Sequence, residues 1–358
     1  MGAVIKRIGI PTFAVAVFLI AVLIGGYAMG LSVPILLSDS LRRIGMNGLL
    51  VLAMVPAIKS GTGPNFALPT GIVCGLFALA CCMEVDMMGF KLLIAAIALA
   101  VVLCTLMGLV YGKLLNAVKG AEMTIATYTG FSMVALFSIV WLTIPFANKK
   151  MGWMLGSGLR ETIQMDAFAA DEILSKVWSF TIGGTEEIVD GVATVSGGVT
   201  IPTGTLLFFL VCCLLVSVFF KTKTGLAIYA GGVNPRFAEA SGLNINHNRI
   251  IANILSTIMA GVGIIIYSQG WGYAQLYSAP MLMAFPSVAA ILIGGATASK
   301  ANCLNVLVGV CLFQCLYTSS MPLFNELFPG TDLPEIMRTV IQNGVILYAL
   351  TQVKGGGR

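Results

Sequence analysis

The sequence predicts an all-α integral membrane protein of about ten transmembrane helices, and three observations carry that reading. Of 358 residues, 58% are hydrophobic and only 10% charged, with a mean hydropathy of +0.96, against about 25% charged in an ordinary soluble domain. Apolar runs close to the roughly 20 residues a span needs recur along the chain. Short joints marked by charge, Gly or Pro separate them, and only residues 145–201 have soluble character.

The spans fall near 11–34, 47–59, 66–83, 91–112, 122–144, 202–220, 250–269, 281–296, 302–320 and 336–353. Lys6 and Arg7 precede the first, which is too long for a signal-peptide core and reads as a retained helix. Cytoplasmic loops are enriched in Lys and Arg. With ten spans, Lys6, Arg7, Lys113, Lys119, Lys221, Lys223, Arg236, Arg249, Lys354 and Arg358 fall on one side, which puts both termini in the cytoplasm. Glu84, Asp86, the 145–201 segment and the 321–335 loop, with Glu326, Asp332 and Glu335, fall on the other. The blocks 47–144 and 250–353 then have opposite topology, the inverted-repeat pattern of many transporters. A single permease domain over 1–358 is expected, with a cytoplasmic segment at 221–249.

Residues 145–201, with Trp153 and Trp178, form an extracytoplasmic insert expected to fold as a lid, with a short helix around 160–176 and a hairpin around 180–200. Loops of this length are usually functional or disordered.

Within the apolar chain, "GTGPNFALPTG" at 61–71 is poor helix material. Pro64 and Pro69 remove backbone donors, and Gly61, Gly63 and Gly71 permit unusual conformations. Broken helix in hydrocarbon is tolerated only when buried in protein or lining a wet path. Thr62, Asn65, Phe66 and Thr70 are therefore the candidate substrate-pathway residues, with a tight cytoplasmic turn as the competing reading. A second candidate interruption spans 268–287, with Gly270, Gly272, Pro280 and Pro286. Its Trp271, Tyr273 and Tyr277 suit either an interfacial aromatic belt or an outer mouth.

Gly108 and Gly112 form a small-xxx-small pair suited to close packing within the subunit or at a dimer seam. The nine cysteines lie in or beside apolar runs without metal-ligand spacing, and the one histidine, His247, reads as a loop residue. A metal site and a catalytic residue are not expected. A Ser-His intramembrane enzyme or an H-E-x-x-H metalloprotease would need more than this.

The stretch "FKTKTGLAIYAGGVNPRFAEASGLNINHNRI" at 220–250 reads as a short cytoplasmic helix with Pro235 early and Gly242 as its stop. Its apolar residues Phe237, Ala240 and Leu243 need a partner to cover them. Thr224, Gly225, Ile228, Tyr229, Ala230, Gly232, Asn234, Ala238, Ser241, Gly242, Leu243 and Asn244 match a pattern characteristic of permease subunits of bacterial ABC importers for ribose and other simple sugars. "VAAILIGGATASKAN" at 288–302 and "GLVYGKLLNAVKGAEMTIATYTGFSM" at 108–133 also resemble that family, and the likeness runs from about residue 45 to the end.

The resemblance implies a multi-pass permease of the bacterial inner membrane that dimerises with itself or a homologue. Its other partners would be membrane lipid, an ABC ATPase that holds ATP and Mg, and an extracytoplasmic binding protein. No cofactor is expected in this chain and no nucleic acid as partner. It further implies that Asn234, Pro235, Arg236, Phe237, Glu239, Ala240, Ser241 and Gly242 couple to the ATPase. The chain has no phosphate loop of its own.

The family's sugar members commonly carry a G-G-x-D-L-S-V-G type motif at the mid-membrane break, where this chain has Gly61 to Gly71. The solute expected from the resemblance is a simple sugar, with a nucleoside as the alternative. An ion-coupled carrier is the reading from another class, but such carriers usually hold ionisable groups inside their spans, whereas Lys59, Glu122 and Arg338 fall near predicted helix ends.

Overall fold

A computed structural model describes residues 10–152, 158–183, 185–189, 192–196, 198–297 and 300–354. Lys6, Arg7, Trp153 and Arg358 lie outside the described residues, as do four positions of the expected hairpin. The order is α1 (Ile10–Ala28), α2 (Val33–Leu52), α3 (Met54–Lys59), α4 (Leu68–Glu84), α5 (Gly89–Ala117) and α6 (Glu122–Thr143). The insert follows, then α8 (Thr203–Phe219), α9 (Lys223–Val233), α10 (Pro235–Ala240), α11 (Ile245–Trp271), α12 (Ala279–Ile293), α13 (Cys303–Leu327) and α14 (Leu333–Lys354). The insert holds β1 (Thr162–Gln164), α7 (Ile173–Lys176), β2 (Phe180–Ile182), β3 (Thr185–Val189), β4 (Val192–Ser196) and β5 (Val199–Ile201). One more strand, β6 (Tyr273–Gln275), follows α11.

The architecture is that of an all-α integral membrane protein. Among the described residues five helical stretches are long and apolar enough to cross a membrane, six if α8 and α9, bent by 77°, count as one. Three shorter apolar helices, α1, α4 and α12, complete the bundle with α14. Thr12 donates to the Ile293 carbonyl at the end of α12 at 2.5 Å, and α14 packs against both α12 and α13.

Two expectations are corrected and a third, the interruption within 268–287, is borne out. The second span begins at Val33 rather than 47: Gly30 (φ +82°) turns the chain, and Pro34 sits in the first turn of α2, where its missing N–H costs nothing. The expected helix at 160–176 is confined to α7, because Thr162–Gln164 instead pairs with β6 in register Thr162↔Gln275. The second interruption is a stop and restart. Gly272 (φ +76°) ends α11, β6 follows, and α12 runs through Pro286. The hairpin is present as two antiparallel pairs, β2 with β5 and β3 with β4.

The core is a close three-helix contact among α4, α5 and α11. A Cβ on Gly75 would lie 2.3 Å from the Gly261 carbonyl oxygen, and one on Gly108 would lie 2.7 Å from the Ile254 Cα. Gly112 faces Ile250 in the same way, so the small-xxx-small pair serves packing inside the subunit. Gly75→Ala should lower the melting temperature in detergent, since overpacking costs about 1–3 kcal/mol. Gly344→Ala, whose Cβ would meet open space, should leave it unchanged or raise it. A thermal unfolding series checks the contrast, and equal melting temperatures would refute the packing account.

Candidate substrate cavity and coupling face

Helices α2, α11, α12, α13 and α14 with β6 enclose a cavity of about 450 Å³. Two helices present a pair one turn apart, Arg43 with Asn47 and Thr339 with Asn343, and two present three residues spanning a turn, Leu282, Met283 and Pro286 from α12 and Phe313, Gln314 and Tyr317 from α13. Residues three or four apart share a helix face, so the polar groups of α2, α13 and α14 converge here while α12 supplies an apolar wall. Tyr267 of α11 and Gln275 of β6 complete the wall.

Arg43 is held by rings. Its guanidinium carbon lies 4.6 Å from the Trp271 ring centre and 5.3 Å from that of Tyr317, and such cation–π contacts partly replace lost hydration. Arg42 beside it pairs with Glu172 of the insert and donates to the Gly270 carbonyl of α11 at 2.5 Å. Glu172 N in turn donates to the Gln269 carbonyl at 2.6 Å, and Met165 N to that of Gly272 at 2.9 Å. The insert is thereby stitched to the end of α11 and roofs the cavity through the β1–β6 pair. At the same end Lys150 binds Asp86 at 2.8 Å and holds its carboxyl below the usual carboxylate range.

Of the four expected pathway residues Thr62, Asn65 and Thr70 are buried and Phe66 is half-buried, and none lines this cavity. Asn65 is 3% exposed; its Nδ2 donates to Ser256 Oγ at 2.8 Å, while its Oδ1 accepts from Tyr111 OH at 3.1 Å and Ala67 N at 3.0 Å. Ser256 Oγ donates to the carbonyl of Ala53, in the joint between α2 and α3, at 2.6 Å. Thr62 donates to the Ala57 carbonyl at 2.9 Å, and the Thr70 hydroxyl is buried without a partner. Phe66 comes nearest, its ring 6.1 Å from that of Phe285, next to Pro286 of the cavity wall. The break is thus a buried polar knot below the cavity.

Sequence reasoning missed Arg43, Asn47, Tyr267, Gln314, Tyr317 and Asn343. A usable signal existed: ionisable and amide residues one turn apart inside apolar helices.

The other end carries the candidate coupling segment. Asn234 caps α10 by accepting from Phe237 N at 3.1 Å, and Pro235 fills its first turn. Ser241 Oγ donates to the Phe237 carbonyl at 2.9 Å, and Gly242 (φ +78°) closes the helix in the left-handed region. Ala238 is wholly buried and fastens the helix. Arg236, Phe237, Glu239 and Ala240 face outward, Phe237 at 67% exposure. The preceding α9 touches the break: a Cβ on Gly232 would lie 2.1 Å from the Lys59 carbonyl oxygen. Lys59 Nζ lies 4.2 Å from the Phe220 ring centre, and Glu122 pairs with the buried Arg249 at 2.5 Å.

Residues 36–350 match the protein family described as the branched-chain amino acid transport system permease component. The chain belongs to that family. As a permease subunit it is a transport component and not an enzyme. It resembles the nucleoside ABC transporter permease protein NupB of Lactococcus lactis subsp. cremoris (strain MG1363), with 24% identity over 247 residues, 68% of this chain and 61% of the relative. NupC of the same strain is 33% identical over 144 residues, 40% of this permease and 43% of the relative. The permease therefore matches less than two thirds of either relative's length. No solved structure matches. The two relatives carry the ABC permease resemblance but not its leaning toward sugars.

Glu172→Gln removes the ionic part of the Arg42 contact. A half-exposed pair of this kind is worth about 1 kcal/mol or less, so global stability should hold while the roof loosens. Hydrogen exchange should quicken at residues 165–177 and stay unchanged in α4. Unaltered exchange across the insert would show that the ion pair does not hold it down.

Proposed function

We propose that the protein is the membrane-spanning subunit of an ATP-driven importer that carries a nucleoside from an extracytoplasmic binding protein to the cytoplasm by alternating access. The observation that carries this reading is the roofed cavity, in which Tyr267, Phe313 and Tyr317 offer aromatic surface and Asn47, Gln314 and Asn343 offer amides that both donate and accept. A nucleoside presents a flat base and a hydroxyl-bearing sugar, and each half finds a partner there. The size suits a small solute, since ligand sites run about 300–1,000 Å³. The names of the two relatives support the same class. A simple sugar remains the second reading, because the amides alone would serve it and stacking against aromatics also suits a pyranose.

In this scheme the ATPase, with its own ATP and Mg, docks against α10 in the cytoplasm. Exposed Phe237 enters its surface, with Arg236 and Glu239 beside it. The insert faces the binding protein at the outer side of a bacterial inner membrane, both chain termini are cytoplasmic, and a second permease copy or homologue completes the transmembrane pair within the lipid. The inverted blocks 47–144 and 250–353 supply the two halves that rock. Phe66 and Asn65 with Thr62 and Thr70 serve the path indirectly, as the knot against which the α12 wall moves.

Phe237→Ala and Glu239→Arg should each cut ATP-dependent uptake by about tenfold or more in proteoliposomes containing the permease, its ATPase and its binding protein, as hot-spot truncations at interfaces do. Expression and melting temperature should stay at the parent level. Labelled uridine, inosine, ribose and galactose identify the solute in the same assay. Uptake that persists without ATP, or that is untouched by both substitutions, would overturn the importer reading.

A further inference from the structure

Arg43 has donors to spare. A guanidinium offers five N–H donors and no acceptor, yet among the described residues the side chain of Arg43 makes no hydrogen bond, and no carboxylate lines the cavity it faces. The nearest acid of the insert, Glu172, is taken by Arg42. What holds Arg43 is the pair of ring faces, Trp271 at 4.6 Å and Tyr317 at 5.3 Å. These fix the planar group and temper its charge without using its N–H bonds. The arrangement is a donor fork waiting for an acceptor edge.

We infer that Arg43 is a specificity-determining residue that selects nucleosides whose base presents oxo acceptors, inosine and guanosine among purines, over those that present an amino group, such as adenosine. This rests on the nucleoside reading above. The edge of a 6-oxopurine carries two acceptors, O6 and N7, at the spacing an arginine fork spans. In adenosine the same edge replaces O6 with an amino donor, which faces the guanidinium donor to donor and leaves one buried N–H unpaired. The base lies against Tyr317 or Phe313, and the ribose hydroxyls reach Asn47 and Asn343.

The test is calorimetric titration of the permease in lipid nanodiscs with inosine, adenosine and leucine, for the parent protein, Arg43→Lys and Arg43→Gln. The parent should bind inosine about tenfold more tightly than adenosine, the lower range of a bidentate arginine contact. Arg43→Lys keeps the charge over the rings but loses the fork, and its ratio should fall toward one with adenosine affinity within about twofold of the parent. Equal affinity of the parent for inosine and adenosine overturns this inference and leaves the nucleoside reading standing. Saturable binding of leucine, or no saturable binding of either nucleoside, overturns both. The parent ratio decides the matter even where a variant fails to fold.

Discussion

The structure depends on satisfying the backbone where the chain breaks between α2 and α4. Away from water an unpaired peptide group costs about 1–3 kcal/mol by mutational measures, and two prolines with two left-handed glycines guarantee several such groups here. Ser256 reaches across from α11 to the Ala53 carbonyl, and Asn65 orders that hydroxyl while receiving Tyr111 and the Ala67 amide. Such a short polar chain works only if α11 lies very close to the break. That requirement explains why the neighbouring surfaces of α4 and α5 are glycine at Gly71, Gly75, Gly108 and Gly112.

A knot this tightly paired is stiff, and its position makes the stiffness useful. Below it, Gly232 of α9 presses on the Lys59 carbonyl. Above it, Phe66 meets Phe285, whose neighbour Pro286 belongs to the cavity wall. A displacement of α10 reaches α12 through rigid contacts, because packed interiors switch between arrangements more readily than they deform. The proline inside α12 removes one helical hydrogen bond at the place where that wall would bend.

The break and the short helix α10 were legible in sequence because both are local. Glycine, proline and asparagine within eleven residues announce an interrupted helix, and Asn234-Pro235 with Gly242 announces a short capped one. The start of α2 was not legible. Arg42 and Arg43 resemble the charged margin of a span, and what makes them tolerable inside one lies far along the chain: Glu172 and Gly270, 130 and 228 residues away, for Arg42, and the Trp271 and Tyr317 rings for Arg43. The missing helix at 160–176 has the same origin: its amphipathic residues lost to strand pairing with β6, a partner more than a hundred positions later. The cavity escaped notice because its polar residues come in pairs from separate helices, each pair unremarkable until the bundle gathers them.

One helix touches every functional part. α11 runs 27 residues, about 40 Å at 1.5 Å per residue, and its contacts come in order along that length. Arg249 pairs with Glu122 near the coupling segment, Ser256 closes the break, Gly261 admits α4, Tyr267 lines the cavity, and Trp271 carries Arg43 beneath the roof. The first and last of these are charged contacts, and those between are hydrogen bonds and close backbone packing. A helix so anchored cannot slide at one end alone without breaking the buried Arg249 pair, for which truncation of one partner costs about 3–5 kcal/mol. In the proposed importer scheme, movement delivered at α10 has two outlets: rigid rotation of α11 with its whole retinue, or bending of α12 against a fixed α11. The unbroken run of α11 and the proline in α12 favour the second, which in that scheme assigns α11 the part of frame and α12 that of moving wall.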